Sequence, residues 1–259
     1  MLRSSNLVKH KVCAKYYRDQ NGALILSNIC SFSRPVFVPD GWECVSSERE
    51  STVDIVSEPC SNLTLPEDIT RRSVRRAKVK CMDYILCNDF PIFSTLTFSP
   101  EKVDRSSYLD VYRALSVWLS NLVQRHGFRY VAVPEYHKKG GAIHFHMLSS
   151  EAGLKLEYSG HYRNSKKIYN IVNWKWGFST AQRVTGESAR EKCAKYIYKY
   201  MGKQMGAKIG GRYYLSGGQL AEPVYLYGDD PAEFMPDVEP KFTRDLDTDG
   251  GRFREWSFI

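Results

Sequence analysis

RYVAVPEYHKKGGAIHFHMLSS, Arg129 to Ser150, decides how this chain is read. Two apolar runs flank Lys-Lys-Gly-Gly, and the glycines supply the backbone freedom of a tight turn, so the stretch reads as an antiparallel hairpin. Side chains alternate across a strand, which puts His144 and His146 on one face and Phe145 on the other, toward the core. Two neutral imidazoles on one face can coordinate a divalent ion. A carboxylate from the paired strand would complete the set and leave positions open for substrate oxygens. Glu135, at the end of the first strand, is the candidate, with the register of the pairing left open.

Upstream, IFSTLTF (Ile92 to Phe98) alternates and is rich in β-branched residues, as a strand requires. A helix follows. Ser107 and Asp110 resemble a capping box, Tyr108, Tyr112, Leu115, Leu119 and Leu122 recur at helical intervals, and Gly127 stands where a C-terminal cap belongs. Downstream comes an irregular, Tyr- and Lys-rich stretch through Asn173, and WKWGFSTAQRV then reads as a further strand with a Trp-rich entry. A second helix is expected over Ala189 to Met201, capped by Ser188 with Glu191 and stopped by Gly202.

In that second helix, KYIYKYMGK sets Tyr196 and Tyr200 four residues apart on one face, with Tyr198 pointing away. A phenol with a pKa near 10 is a weak nucleophile at neutral pH and needs a nearby cation and a metal that polarises its target. Lys199 and Lys203 are placed to stabilise phenolate or charge on phosphorus. His137, at the turn, is a reserve ligand, and His161 reads as a surface histidine.

The rest of the chain bounds the class. A composition 42% hydrophobic and 25% charged belongs to a globular protein, and no apolar run approaches the ~20 residues of a membrane span. MLRSSNLVKHKV lacks the apolar stretch of a secretory signal, so a cytoplasmic protein is expected. Cys13, Cys30, Cys44, Cys60, Cys81, Cys87 and Cys193 are odd in number and form no Cys-x-x-Cys pair, which points to reduced thiols. A net charge of +8 makes a nucleic-acid partner plausible. RRSVRRAKVK, Arg71 to Lys80, carries six basic residues in ten. Such runs are ordinarily solvated helix faces, but six like charges without a carboxylate repel unless an anion is near, and a DNA contact is expected at Arg71, Arg72, Arg75 and Arg76. Residues 1–70, with VCAKYY, ALILSNI and RPVFVP as short strands, form an N-terminal β-rich accessory region. Residues 71–225 form the main domain, and the acidic, Pro-containing residues 226–259 read as a poorly ordered tail.

Three of these motifs, in this order, resemble the HUH-class rolling-circle replication initiators of microviruses, including gokushoviruses, and related bacterial phage and plasmid Rep proteins. FSTLTF looks like their first motif, GGAIHFHML like the His-hydrophobic-His motif, and AKYIYKYMGK like their tyrosine helix. The resemblance covers roughly residues 70 to 220. It implies an α+β fold, a ferredoxin-like or RRM-like central antiparallel sheet with flanking helices. It also implies His144, His146 and Glu135 as metal ligands and Tyr196 and Tyr200 as the nucleophile pair. Some relatives keep a first tyrosine with a lysine three residues on, matching Tyr196 and Lys199, and others retain only the second, matching Tyr200.

The activity so implied is metal-dependent, site-specific nicking and joining of single-stranded DNA, leaving a 5′-phosphotyrosine and a 3′-OH primer for rolling-circle replication. Mg²⁺ or Mn²⁺ is required but no nucleotide. No Walker A motif is present, so a helicase and a DNA polymerase would come from the host, in whose cytoplasm a phage or plasmid protein would work. Single-stranded origin DNA is expected to stack on aromatics in basic surroundings, with Trp174, Lys175, Trp176, Arg212, Tyr213 and Tyr214 as candidates. Rival readings are an HUH relaxase or single-strand transposase, which share the chemistry, and a non-catalytic RRM-like nucleic-acid-binding module, against which the paired histidines argue.

Overall fold

The computed structural model describes residues 2–18, 22–39, 66–137, 141–185, 192, 194–197, 199, 201, 212–248 and 251–259. The chain divides into two compact units, one of residues 64–222 and one that joins residues 1–63 to 223–259. It is an α+β protein of mostly antiparallel sheet with few helices.

The 64–222 unit is built on a seven-stranded sheet. Its strands are β3 (Ile92–Leu96), β4 (Tyr130–Tyr136), β5 (Ile143–Ser149), β6 (Leu156–Arg163), β7 (Lys166–Ile171), β8 (Ser179–Arg183) and β9 (Leu215–Gly217), in the order β6-β7-β8-β3-β5-β4-β9. Every pairing is antiparallel. Alternation sorts the side chains onto two faces. Ile92 and Leu96 of β3, Ala132 of β4 and Ile143, Phe145 and Met147 of β5 join a core with α2 (Tyr108–His126), which contributes Val111, Leu115, Leu119 and Leu122. Val131, Val133 and Leu148 point the other way. They pack with Cys81 and Ile85 of α1 (Pro66–Cys87) and with Ala194, Ile197 and Met201 of a helix whose described residues lie in 192–201. Helices therefore cover both faces, and the histidines of β5 share the face of the 192–201 helix.

Local signals account for much of this. Ser107 caps α2, its side chain accepting from the Asp110 amide, and Gly127 ends the helix in the left-handed region at φ 64°. The Ser188–Glu191 cap and Gly202 lie outside the described residues. Pro134 is tolerated in β4 because β9 pairs only with Tyr130 to Ala132, so the missing N–H faces an unpaired edge.

Three expectations change. The stretch through Asn173, read as irregular, is the β6–β7 hairpin. Arg163 pairs with Lys166 across a two-residue loop, and Asn164 (φ 52°) and Ser165 (φ 61°) both take the positive φ of a type I′ turn. Of WKWGFSTAQRV, only Ser179–Arg183 is strand. The preceding loop docks on residues 97–99 through Thr97 N–H to Phe178 O (2.9 Å) and Ser99 N–H to Trp176 O (2.8 Å). A Cβ on Gly177 would collide with Thr97 O and the Ser99 amide, so only glycine permits this approach.

The third change concerns the C-terminal segment, expected as a poorly ordered tail. It supplies β10 (Val224–Gly228), β11 (Phe242–Thr248) and β12 (Gly251–Ser257) to a second sheet with β1 (Leu2–Arg18) and β2 (Leu24–Pro39), ordered β10-β1-β2-β12-β11. Its charges are paired across strands: Asp245 bonds Arg252 Nε at 2.8 Å and approaches Arg254 Nε at 3.4 Å. Val12, Ala14 and Ile29 are buried there with Trp256 and Phe258 packed around them.

Candidate metal centre

The β4–β5 pairing fixes the register left open by the sequence. Glu135 lies directly opposite His144, and Val133 opposite His146. Glu135 is thus adjacent to one histidine and diagonal to the other on the same face, both within reach of a carboxylate. One oxygen, Oε2, lies 3.1 Å from His144 Nε2 and 2.8 Å from His146 Nε2. The three donor atoms fall within 4.8 Å of one another and form a group that could hold a metal ion.

Electrostatics suit a cation. Burial pushes the Glu135 carboxyl up, but the hydrogen bonds and charges of His146 and His144 outweigh it and hold the group below its ordinary value, ionised. Burial holds His144 below the usual imidazole value despite the opposing pull of Glu135, so this ring stays neutral at neutral pH. Neutral imidazole and carboxylate are the forms that ligate. An ionised oxygen converged on by two nitrogens fits a hard or borderline divalent ion such as Mg²⁺ or Mn²⁺.

The imidazole of His146 is held from behind. Thr95 Oγ1 of β3 lies 3.1 Å from its Nδ1, because Thr95 is the register partner of His146. With Nε2 given to a metal, the ring proton sits on Nδ1 and donates to the threonine, which sets tautomer and orientation together. Phe93, two residues earlier and on the same face, stacks on His146 with ring centroids 6.0 Å apart.

Tyr196 closes the constellation. Its ring stands edge-on to Phe93 at 5.1 Å and to His146 at 5.9 Å. Buried Ala194 and Ile197 anchor the turn that carries it to the sheet, so the phenol is directed along the histidine face while its own side chain remains partly exposed. A cavity of about 400 Å³ is lined by Glu135, His144, His146, Thr95, Thr97 and Tyr196. His137 reaches its rim, its ring 6.0 Å from that of His144 and outside the three-residue group. His161 is exposed on β6.

Other expected residues stand apart from this cavity. Lys199 is exposed on the helix, and Tyr200, Tyr198 and Lys203 lie outside the described residues. Arg71, Arg72, Arg75 and Arg76 form an exposed face of α1. Trp174, expected to stack on DNA, is instead core: it is 4% exposed, packs edge-on against Phe98 and Trp118, and its Nε1–H donates to Thr97 O. Trp176 is half-buried against the same core, and Tyr213 against the cluster under the tyrosine helix. Lys175 is exposed, and Arg212 lies over the Tyr112 ring at 5.9 Å.

Thr95, Phe93 and Arg163 are cavity residues to which the sequence reading assigned no role. The parity of Phe93, Thr95 and Thr97 along β3 was the available signal for the first two. No helix among the described residues is long and apolar enough to cross a membrane. No curated protein and no solved structure matches the chain. Residues 91–205, which contain the three-residue group and Tyr196, match the model of the Replication-associated protein family of the ORF2 type, and this similarity supports a replication initiator.

Proposed function

We propose that the protein is an HUH-class rolling-circle replication initiator, of the type found in microviruses and related phages and plasmids, that nicks single-stranded origin DNA. The observation that supports this best is the convergence of Glu135 Oε2 on His144 and His146 with Tyr196 packed against His146. Glu135, His144 and His146 would hold Mg²⁺ or Mn²⁺, which when bound polarises the scissile phosphate.

In this reading Tyr196 is the attacking group. Its phenolic oxygen, losing its proton, forms a bond to phosphorus as the bond to the 3′ oxygen breaks. That oxygen leaves as a 3′-OH, and the 5′ phosphate stays on tyrosine. The phosphotyrosine conserves the diester, so joining is the reverse displacement and no nucleotide is consumed. Thr95 keeps the His146 ring oriented, and Lys199 sits on the helix within a turn of Tyr196 to balance negative charge. Tyr200 and Lys203 are proposed as the second nucleophile and its cation, serving the regenerated origin. Arg71, Arg72, Arg75 and Arg76 would add non-specific DNA affinity, with a host helicase and polymerase extending the primer.

The test is incubation with a labelled pool of single-stranded oligonucleotides and Mn²⁺. The expected result is a DNA–protein adduct that survives denaturation together with released strands ending in 3′-OH. Cleavage yielding a free 5′ phosphate and no adduct would refute the mechanism.

A further inference from the structure

Beside the metal centre lies a second cavity of about 370 Å³ that shares Phe93, Arg163, Gln182 and Tyr196 with the first. Tyr196 therefore stands between the two. The lining of the second cavity includes Arg163, Lys166, Arg183 and Lys192 and no carboxylate. Arg183 is already engaged by Glu151 through two bonds of 2.6 Å. Among the described residues, Arg163, Lys166 and Lys192 make no ion pair, so three cations face one space without compensation.

Two of these cations oppose each other by construction. Arg163 and Lys166 are register partners flanking the Asn164-Ser165 turn. Like charges directly opposite on paired strands are destabilising. A bound anion removes that penalty. Phosphate suits the set, since a guanidinium offers it two parallel donors and an ammonium a point charge. A cavity open to the nucleophile on one side favours an anion that continues into the scissile group.

We propose that the β6–β7 turn, through Arg163 and Lys166, together with Lys192 grips a backbone phosphate of single-stranded DNA adjacent to the scissile phosphate. The inference rests on the single-stranded DNA substrate proposed above, and it assigns the turn a role in holding the strand while Tyr196 acts.

The test is binding of a fluorescent twelve-residue oligothymidylate in EDTA, titrated against salt, so that neither metal nor nucleophile enters. Arg163→Gln/Lys166→Gln should bind several-fold more weakly and flatten the plot of log affinity against log salt by ~1.4, two contacts at about 0.7 each on a single strand. Arg163→Lys/Lys166→Arg should restore the slope, which separates charge from folding. Arg113→Gln/Arg125→Gln, exposed on α2, removes equal charge elsewhere and should leave the slope unchanged. An unchanged slope in the Arg163/Lys166 variant, or an equal loss in the α2 control, overturns the proposal. Charge-dependent binding at the turn without any nicking would support the grip and count against the nicking reading alone.

Discussion

The phenol ring of Tyr196 stands edge-on to the imidazole of His146, centroids 5.9 Å apart and planes at 85°. The two come from elements separated by 50 residues of chain, and they meet because the 192–201 helix packs on the sheet face that displays His144 and His146. Tyr196→Phe keeps this packing and removes only the hydroxyl. It should lower strand cleavage by roughly 10³-fold or more while leaving Mn²⁺ binding intact. Single-turnover cleavage beside calorimetric titration checks both halves.

Metal binding should stabilise the fold by mass action. At a hundredfold excess of Mn²⁺ over its dissociation constant, the gain is about 2.7 kcal/mol, read as a rise in Tm. Glu135→Gln and His144→Ala should abolish that rise. A variant that keeps the full shift would show the ion bound elsewhere.

Thr95→Val should weaken Mn²⁺ binding about 10–100-fold, the usual consequence of losing the hydrogen bond behind a ligating histidine. Thr95→Ser should retain most of it, since the hydroxyl remains to accept from Nδ1. Equal affinity in the valine variant would show that the 3.1 Å contact does not orient His146.

The metal-free protein should lose stability as pH falls. His144 and Glu135 both have folded pKa values below their ordinary ones, so the unfolded chain takes up protons first. Their contribution is present above about 6.5 for His144 and 4.5 for Glu135, and is lost as pH drops through the lower folded values. In EDTA, urea melts of His144→Gln should show a flatter pH dependence below 6.5 than the native protein.

Trp174 belongs to the core. Trp174→Ala should cost about 3–5 kcal/mol by cavity formation, measured by urea unfolding, whereas Trp174→Phe should leave affinity for single-stranded DNA unchanged. A selective loss of DNA affinity in the phenylalanine variant would return Trp174 to the binding surface.

What could be read from sequence follows from periodicity. The β4–β5 hairpin announced itself by alternation, the Gly-Gly turn and the shared parity of His144 and His146, and α2 by its caps. Register was not readable, because Pro134 and Glu135 could pair opposite more than one residue until the turn was placed. The β6–β7 hairpin escaped because both strands are largely exposed, so no apolar alternation marks them, and Asn164-Ser165 is a less obvious I′ turn than Asn-Gly. The C-terminal strands escaped because charge was read as disorder, while Asp245, Arg252 and Arg254 meet only once β11 and β12 pair. Trp174 misled for a related reason: an indole beside lysine looks the same in sequence whether it stacks on a base or fills a core.

The most direct measurement maps the covalent bond. After reaction with single-stranded DNA and Mn²⁺, the adduct is digested with protease and nuclease and the modified peptide identified by mass spectrometry. The account predicts a nucleotide on Tyr196, absent in EDTA and absent from Tyr196→Phe/Tyr200→Phe. An adduct that forms in EDTA, persists in the double variant, or sits on a residue outside the tyrosine helix would contradict it.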